Sequence, residues 1–150
     1  MQNADPVLTA NEARSLRCVT GMMIPASTAH GVPGADDDTI FTDIIDSLSL
    51  DAVLVKQALQ RLNELADGVF ADQDPARRQA AAAVLQHEGG ARLMALTRVI
   101  VQCYYRDDRV MRSLGMEVRP PFPKGFEVEQ GDWSLLDPVR ARAPFYRRTV

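Results

Sequence analysis

Two histidines and two cysteines are the residues of this 150-residue chain whose chemistry could support catalysis or metal binding. His30 lies in a loop rich in glycine and proline, where an imidazole could act as a general base. It has no identifiable partner in the sequence, so an enzyme built on His30 or His87 would need acidic groups brought close by folding. No Gly-x-Ser-x-Gly motif occurs, and neither cysteine has a general base beside it. The pattern therefore predicts no catalytic residue.

Metal and nucleotide binding are not predicted either. The histidines and the cysteines, Cys18 and Cys103, lie too far apart in sequence to form the close pairs of ligands that bind zinc. The run Asp36-Asp37-Asp38 lacks the alternating acidic positions, glycine and terminal glutamate of a calcium loop, and it favours a helix N-terminus instead. Neither Gly-x-Gly-x-x-Gly nor a phosphate-binding Gly-Lys-Ser/Thr is present. We expect no cofactor in this chain.

The composition is typical of a single globular domain. Charged residues make up 25% of the chain and apolar residues 46%, and no apolar run reaches the roughly 18 residues of a membrane helix. Residues 1–75 carry a net charge of −8 and residues 76–150 one of +5. Acidic residues interrupt the basic half, which argues against nucleic-acid binding. Membrane insertion is not expected.

Compartment is predicted from the thiols and from the start of the chain. Cys18 and Cys103 lie in apolar helical segments, which favours two buried thiols over a disulfide. No export signal is visible at the first residues. We expect a cytoplasmic protein, or a periplasmic one if a leader has been removed.

Hydrophobic periodicity predicts an all-α fold, a compact bundle of about five helices formed by residues 1–114. Thr9 and Glu12 have the spacing of a capping box at the start of the first helix, and Pro25 ends that helix. The fifth helix is the most apolar, and we expect it to be the central one. The second predicted helix begins at residues 36–38, the third spans about 51–70, the fourth 74–88 and the fifth about 91–114.

Residues 115–150 differ from the helical segments. They hold prolines and large aromatic residues without a helical or strand period, over a length unusual for a connection inside a domain. Disordered tails are poor in aromatic residues, whereas this segment carries enough apolar surface to become ordered against a partner. We therefore predict a long, irregular C-terminal arm, 115–150, that packs on a partner subunit. Its predicted partner-binding residues are Arg119, Phe122, Phe126, Trp133, Arg140, Arg142, Phe145, Tyr146 and Arg147.

The polar cluster Tyr104-Tyr105-Arg106-Asp107-Asp108-Arg109 has two interpretations. One is a solvated helix end with local Asp/Arg pairs, each worth a few tenths of a kcal/mol. The other is a surface that holds the arm or a partner, since arginine and tyrosine are typical interface anchors.

Several short motifs of the sequence resemble those of a known family. They are Leu8-Thr9, Glu12-x-x-x-Leu16, Met22-Met23-Ile24-Pro25-Ala26, Gly31-Val32-Pro33-Gly34-Ala35-Asp36, Tyr104-Tyr105, Val110 and Leu114-Gly115, ahead of a proline-rich C-terminus. This pattern resembles gluconate 2-dehydrogenase subunit 3. Members of that family accompany a larger FAD-dependent catalytic subunit of the glucose-methanol-choline oxidoreductase class, and they bind no flavin themselves.

The resemblance implies a non-catalytic small subunit that binds, stabilises and helps assemble a larger flavoprotein, an alcohol or sugar dehydrogenase or oxidase acting on CH-OH donors. FAD is then expected in the partner and not in this chain. Many relatives begin with a twin-arginine leader, which this sequence does not show. Two alternatives stay open: a homodimeric helical interaction module, and a cofactor-free helical enzyme using His30 or His87. The aromatic residues of the arm have an alternative to partner binding, which is to fold back onto the chain's own helices.

Overall fold

The computed structural model describes residues 7–119, 124–125 and 129–143. Over these residues the chain is all-α, with one isolated β-bridge between Ser27 and Val32. The chain divides into two compact units, Met1–Val118 and Arg119–Val150. The sequence-based prediction that residues 115–150 pack on a partner subunit is not tested by this division and stays a prediction.

The first unit contains six α-helices in its described residues. They are α1 (Ala10–Met23), α2 (Asp38–Asp46), α3 (Ala52–Leu65), α4 (Pro75–Glu88), α5 (Gly90–Arg106) and α6 (Asp108–Ser113). Short 3-10 turns lie at Ser49–Asp51, before α3, and at Phe70–Asp72, before α4.

The predicted starts of α1, α2 and α4 are confirmed, and in each of these three helices a polar side chain caps the first turn. At α1, Thr9 Oγ1 accepts a hydrogen bond from the backbone of Glu12, and Glu12 Oε2 accepts one of 2.7 Å from the backbone of Thr9. At α2, Asp37 caps the helix through the backbone N–H two residues on, at 3.1 Å. At α4, the Asp74 carboxylate accepts a hydrogen bond from the backbone N–H of Arg77, and Pro75 occupies the first helical position. These are local contacts, which explains why the sequence alone predicts them.

The third helix is shorter than the sequence predicts. The apolar pattern continues to Phe70, but α3 ends at Leu65. Asp67 has a φ of 54° and Gly68 one of 147°, backbone conformations that a helix cannot contain. Asn63 Oδ1 then accepts the backbone N–H of Phe70 at 2.8 Å, so Phe70 reaches the core from a separate turn.

The predicted fifth helix, 91–114, is two helices. α5 ends at Arg106, and Asp107 takes an extended backbone with φ −66° and ψ 132°. The Asp107 carboxylate accepts the backbone N–H of Arg109 at 2.9 Å and so caps α6. Val110 is buried and continues the apolar pattern across the break, which hides the break in the sequence.

The core lies around α3, which packs against α1, α4 and α5. The buried side chains of α3 are Val55, Ala58, Leu59 and Leu62. α5 packs against α2 and α3, but Met94 on its outer face is 70% exposed. α3 also keeps one face in solvent, since Val53 is 67% exposed, so α3 and α5 pack on each other and share the central place that the sequence predicts for the fifth helix.

The sequence predicts an irregular C-terminal arm, but the second unit contains helical structure. Its described residues include a 3-10 turn, Trp133–Leu136, that runs directly into a short helix, α7 (Asp137–Arg140). We call residues 133–140 the arm helix. Asp132 and Pro138 are helix-start residues that the sequence shows at this position, but an eight-residue segment is too short to display a period.

The loop 24–36 between α1 and α2 is tied to the helices at both of its ends. Ala35 N donates to Ile24 O at 2.9 Å, and the Tyr104 hydroxyl of α5 donates to Pro33 O at 3.3 Å. Gly34 is buried where the first and last residues of this loop approach each other. A Cβ on Gly34 would lie 2.9 Å from the backbone nitrogen of Ala26, closer than real Cβ contacts.

Replacing Gly34 by alanine is therefore expected to lower the free energy of unfolding by about 1–3 kcal/mol, because the added methyl overpacks against backbone that cannot rotate away. Urea denaturation followed by circular dichroism measures this. Gly131→Ala is the control, since a Cβ there meets nothing within 4 Å. Equal stability of the Gly34→Ala variant and the wild type would contradict the close approach.

Candidate partner-binding surface

Local hydrogen bonds set the start of the arm helix. Asp132 Oδ1 accepts from Ser134 N at 3.0 Å and from Ser134 Oγ at 2.6 Å. Trp133 Nε1 donates to Gln130 Oε1 at 3.1 Å. The indole is thus held by its polar edge, while its apolar faces are left for other contacts.

The arm helix exposes a group of large apolar side chains. Trp133 is 59% exposed, Leu135 74%, Leu136 40% and Val139 56%. Single exposed apolar residues are normal on protein surfaces, but a cluster of them marks an interaction site. Within one helical segment, residues three and four apart share a face, so Trp133, Leu136 and Val139 can contact one partner surface together.

The predicted arm residues have different outcomes. Trp133 is exposed and donates a hydrogen bond to Gln130, and its binding role stays a prediction. Arg119 donates to Gly125 O at 2.7 Å, and Arg140 pairs with Asp137 at 3.4 Å, so both arginines contact their own unit. Arg142 is exposed. The remaining predicted residues lie outside the described part of the chain: Phe122, Phe126, Phe145, Tyr146 and Arg147.

Three apolar residues of this surface are missing from the sequence-based set. Leu135, Leu136 and Val139 are exposed beside Trp133. The available signal was the helix start at Asp132 together with the Asp137-Pro138 pair, which places these aliphatic residues on a helix rather than in an irregular chain. The sequence-based set contains only aromatic and arginine residues, so it omits these three aliphatic ones.

The cluster Tyr104–Arg109 connects helices of the first unit. Arg106 makes a bidentate contact with Asp43 of α2, with N–O distances of 2.5 and 2.6 Å. Arg109 Nη2 lies 2.7 Å from Asp37, the cap of α2, and 3.0 Å from Asp107, the cap of α6. These pairs hold α5 and α6 onto α2. They are therefore not purely local pairs of a solvated helix end. The other interpretation, a surface that holds the arm or a partner, stays a prediction.

The electrostatics of this cluster follow from its pairing. The Arg109 guanidinium, by hydrogen bonding to both carboxylates, lowers the pKa values of Asp37 and Asp107. Asp43 raises the pKa of Arg106, and burial raises the pKa of the Cys103 thiol. A recess of about 660 Å³ lies here, lined by Asp43, Cys103, Arg106 and Arg109 among others. Since both arginines are already neutralised by carboxylates, the recess offers little attraction to a charged ligand.

The residues considered for catalysis or metal binding are not brought together in any evident site. His30 and His87 are both exposed, and neither imidazole is hydrogen-bonded to a carboxylate within the described residues. Cys18 and Cys103 are free thiols, Cys103 buried and Cys18 partly buried next to Arg78. Across residues 7–119, 124–125 and 129–143, no three His, Cys, Asp or Glu side chains cluster as metal ligands would.

An apolar cleft opens on the first unit where α1, α4 and α5 surround α3. Its volume is about 420 Å³, and buried Leu62 and Phe70 line its inner part. The apolar lining is completed by Val19, Met22, Met23, Ala82, Leu85 and Leu93, and the polar lining consists of Gln79, Gln86 and Thr97. Of the residues from α1, Met22 is partly buried and Met23 is 37% exposed at this cleft.

Within the described part of the chain, the helices are too short or too polar to cross a bilayer.

Arg109 is expected to make stability depend on pH. Because the folded-state pKa values of Asp37 and Asp107 are lowered, their contribution is present above the unfolded value of about 4 and is lost as pH falls below it. Arg109→Gln should cost about 1 kcal/mol near pH 7, and this difference should shrink toward pH 3. Thermal unfolding of wild type and variant across that range measures it.

The matched control is Arg112→Gln, which removes the pair with Asp108 on the exposed face of α6. That variant should unfold almost as the wild type does at every pH. A pH-independent difference between wild type and Arg109→Gln would show that Arg109 acts by packing rather than by charge.

Comparison with known proteins finds no matching family model, no matching curated protein and no matching solved structure. The resemblance to gluconate 2-dehydrogenase subunit 3 therefore stays a prediction from the sequence motifs, and what can be argued of function depends on the surfaces described above.

Proposed function

We propose that this chain is a non-catalytic small subunit that binds and stabilises a larger FAD-dependent alcohol or sugar oxidoreductase and helps assemble it. Two lines of support converge on this proposal. One is the resemblance of the N-terminal and central motifs to gluconate 2-dehydrogenase subunit 3. The other is an exposed apolar surface on the arm helix, in the segment whose composition predicts partner binding.

The exposed arm helix is the observation that carries the proposal. Four large apolar side chains, Trp133, Leu135, Leu136 and Val139, are in contact with solvent on residues 133–140. Burying apolar surface contributes about 25 cal/mol per Å², so a complementary groove on another protein would stabilise a complex through these side chains. A short amphipathic helix lying in an apolar groove is a common mode of protein recognition.

The chemistry would belong to the partner. A bound flavin accepts hydride from the substrate carbinol, and the protein around it supplies orientation and electrostatics. This chain would contribute buried surface to the complex. We propose a cytoplasmic location for the subunit, and two free thiols support it because a reducing compartment keeps thiols unpaired.

The first experiment is purification of the tagged chain from its native cells, followed by absorbance between about 350 and 500 nm, where oxidised flavin absorbs. A larger yellow protein that copurifies in fixed ratio and oxidises an alcohol or sugar is the expected result. A colourless chain that purifies as a homodimer would contradict the proposal and favour the homodimeric module instead.

Trp133→Ala is expected to weaken the complex with that flavoprotein by roughly 2 kcal/mol or more, because tryptophan in an apolar groove is a typical hot spot. Isothermal titration calorimetry on the two purified proteins measures the change. Met94→Ala is the matched control, since Met94 is 70% exposed on α5, outside both the arm helix and the cleft. If both variants bind like the wild type, Trp133 is not an anchor.

A further inference from the structure

We propose that α4 is a lid of the first unit, which opens as one piece about the pair of glycines at its end while α3 and α5 stay packed. This motion belongs to the chain itself and needs no partner, so it does not rest on the proposed function. Opening would uncover the part of α3 on which α4 packs and the Cys18 thiol that Arg78 of α4 contacts.

Among the helices of fourteen residues or more, α4 is the least firmly held by apolar burial. Of its fourteen residues, only Ala81 and Leu85 are buried. Alanine carries a single methyl group, so Leu85 is the one large side chain that α4 places in the core. By comparison, α3 buries four side chains over fourteen residues, and α5 buries six over seventeen. Because apolar burial is the main force that holds a helix on its neighbours, α4 should be the first of these helices to leave them.

The C-terminal end of α4 has the backbone of a hinge. Gly89 follows the last residue of α4 and Gly90 is the first residue of α5, with φ of 62° and 84°. Residues with a side chain rarely adopt such values, whereas glycine moves between them and the usual ones at little cost. A Cβ on either glycine would meet nothing within 4 Å. Rotation about these two residues can therefore swing α4 without forcing side chains apart at the junction.

The chain before α4 is fixed to the core and then extended. Phe70 is fully buried, and its backbone N–H donates to Asn63 Oδ1 at 2.8 Å. Gln73 and Asp74 follow with extended backbone, ψ 157° and 160°. These two residues let α4 move without drawing Phe70 out of the core. The lid is therefore residues 75–88, and the rest of the first unit can keep its packing.

Polar contacts at two points hold the lid closed. Glu88, the last residue of α4, accepts hydrogen bonds from Arg61 of α3 at 2.6 Å and from Arg92 of α5 at 2.5 Å. Near the other end, Arg78 Nη1 donates to Cys18 Sγ of α1 at 2.5 Å. The side chains of Arg61 and Arg92 are 31% and 34% exposed, so water can replace their contacts when α4 opens. The lid is held by contacts that open at little cost.

Hydrogen–deuterium exchange of the purified full chain, read residue by residue by NMR, tests the lid. Backbone N–H groups of residues 79–88 should share one level of protection and exchange about tenfold or more faster than those in the middle of α3 and α5. Glu88→Gln weakens the contacts with Arg61 and Arg92 and should speed exchange in α4 about threefold, with α3 and α5 unchanged. Glu64→Gln is the matched control, because Glu64 pairs with the same Arg61 from within α3 and should leave exchange in α4 unchanged.

Equal protection of α3, α4 and α5 in the wild type would overturn the proposal, because it would show that the first unit opens only as a whole. Protection that declines steadily toward one end of α4 would show fraying instead of a lid and would overturn it too. If Glu88→Gln speeds exchange equally in all three helices, the residue stabilises the whole unit and does not close α4, which also contradicts the proposal. Circular dichroism of both variants checks that they keep the helical content of the wild type.

Discussion

The burial of α3 is the constraint on which the first unit depends. Val55, Ala58, Leu59 and Leu62 form one buried stripe of this helix, and α1, α4 and α5 cover it. Three helices around one leave gaps where their side chains do not meet, because rigid cylinders cannot enclose another without spaces between them. The cleft that Leu62 lines lies between these helices, and Leu62 itself is buried.

The sequence predicts the parts of this fold that local chemistry determines. The all-α class and the starts of α1, α2 and α4 follow from apolar period and from capping residues a few positions away, such as Thr9 with Glu12. The end of α3 and the break at Asp107 are not predicted, because Phe70 and Val110 keep the apolar period while leaving the helix. Which helices lie at the centre depends on long-range packing, and α5, the most apolar in sequence, shares that place with α3.

The candidate site is predictable to a similar degree and for similar reasons. Composition identifies the arm and Trp133, since aromatic residues in a proline-rich segment are informative without any contact map. The aliphatic residues Leu135, Leu136 and Val139 gain meaning only when a helix places them on one surface. The cleft leaves no trace in the sequence at all, because its residues come from four helices and a turn that are far apart along the chain.

The distribution of charge separates surfaces that hold this protein together from surfaces that can bind another. Arg106 and Arg109 hydrogen-bond to Asp43, Asp37 and Asp107, so the arginines that line the recess are already paired within the chain. An incoming charged group there would compete with geometry that is already satisfied. The cleft and the arm helix differ because they present apolar area that gains free energy only when something covers it. The association proposed for this chain needs surfaces of this second kind, and the arm helix presents one.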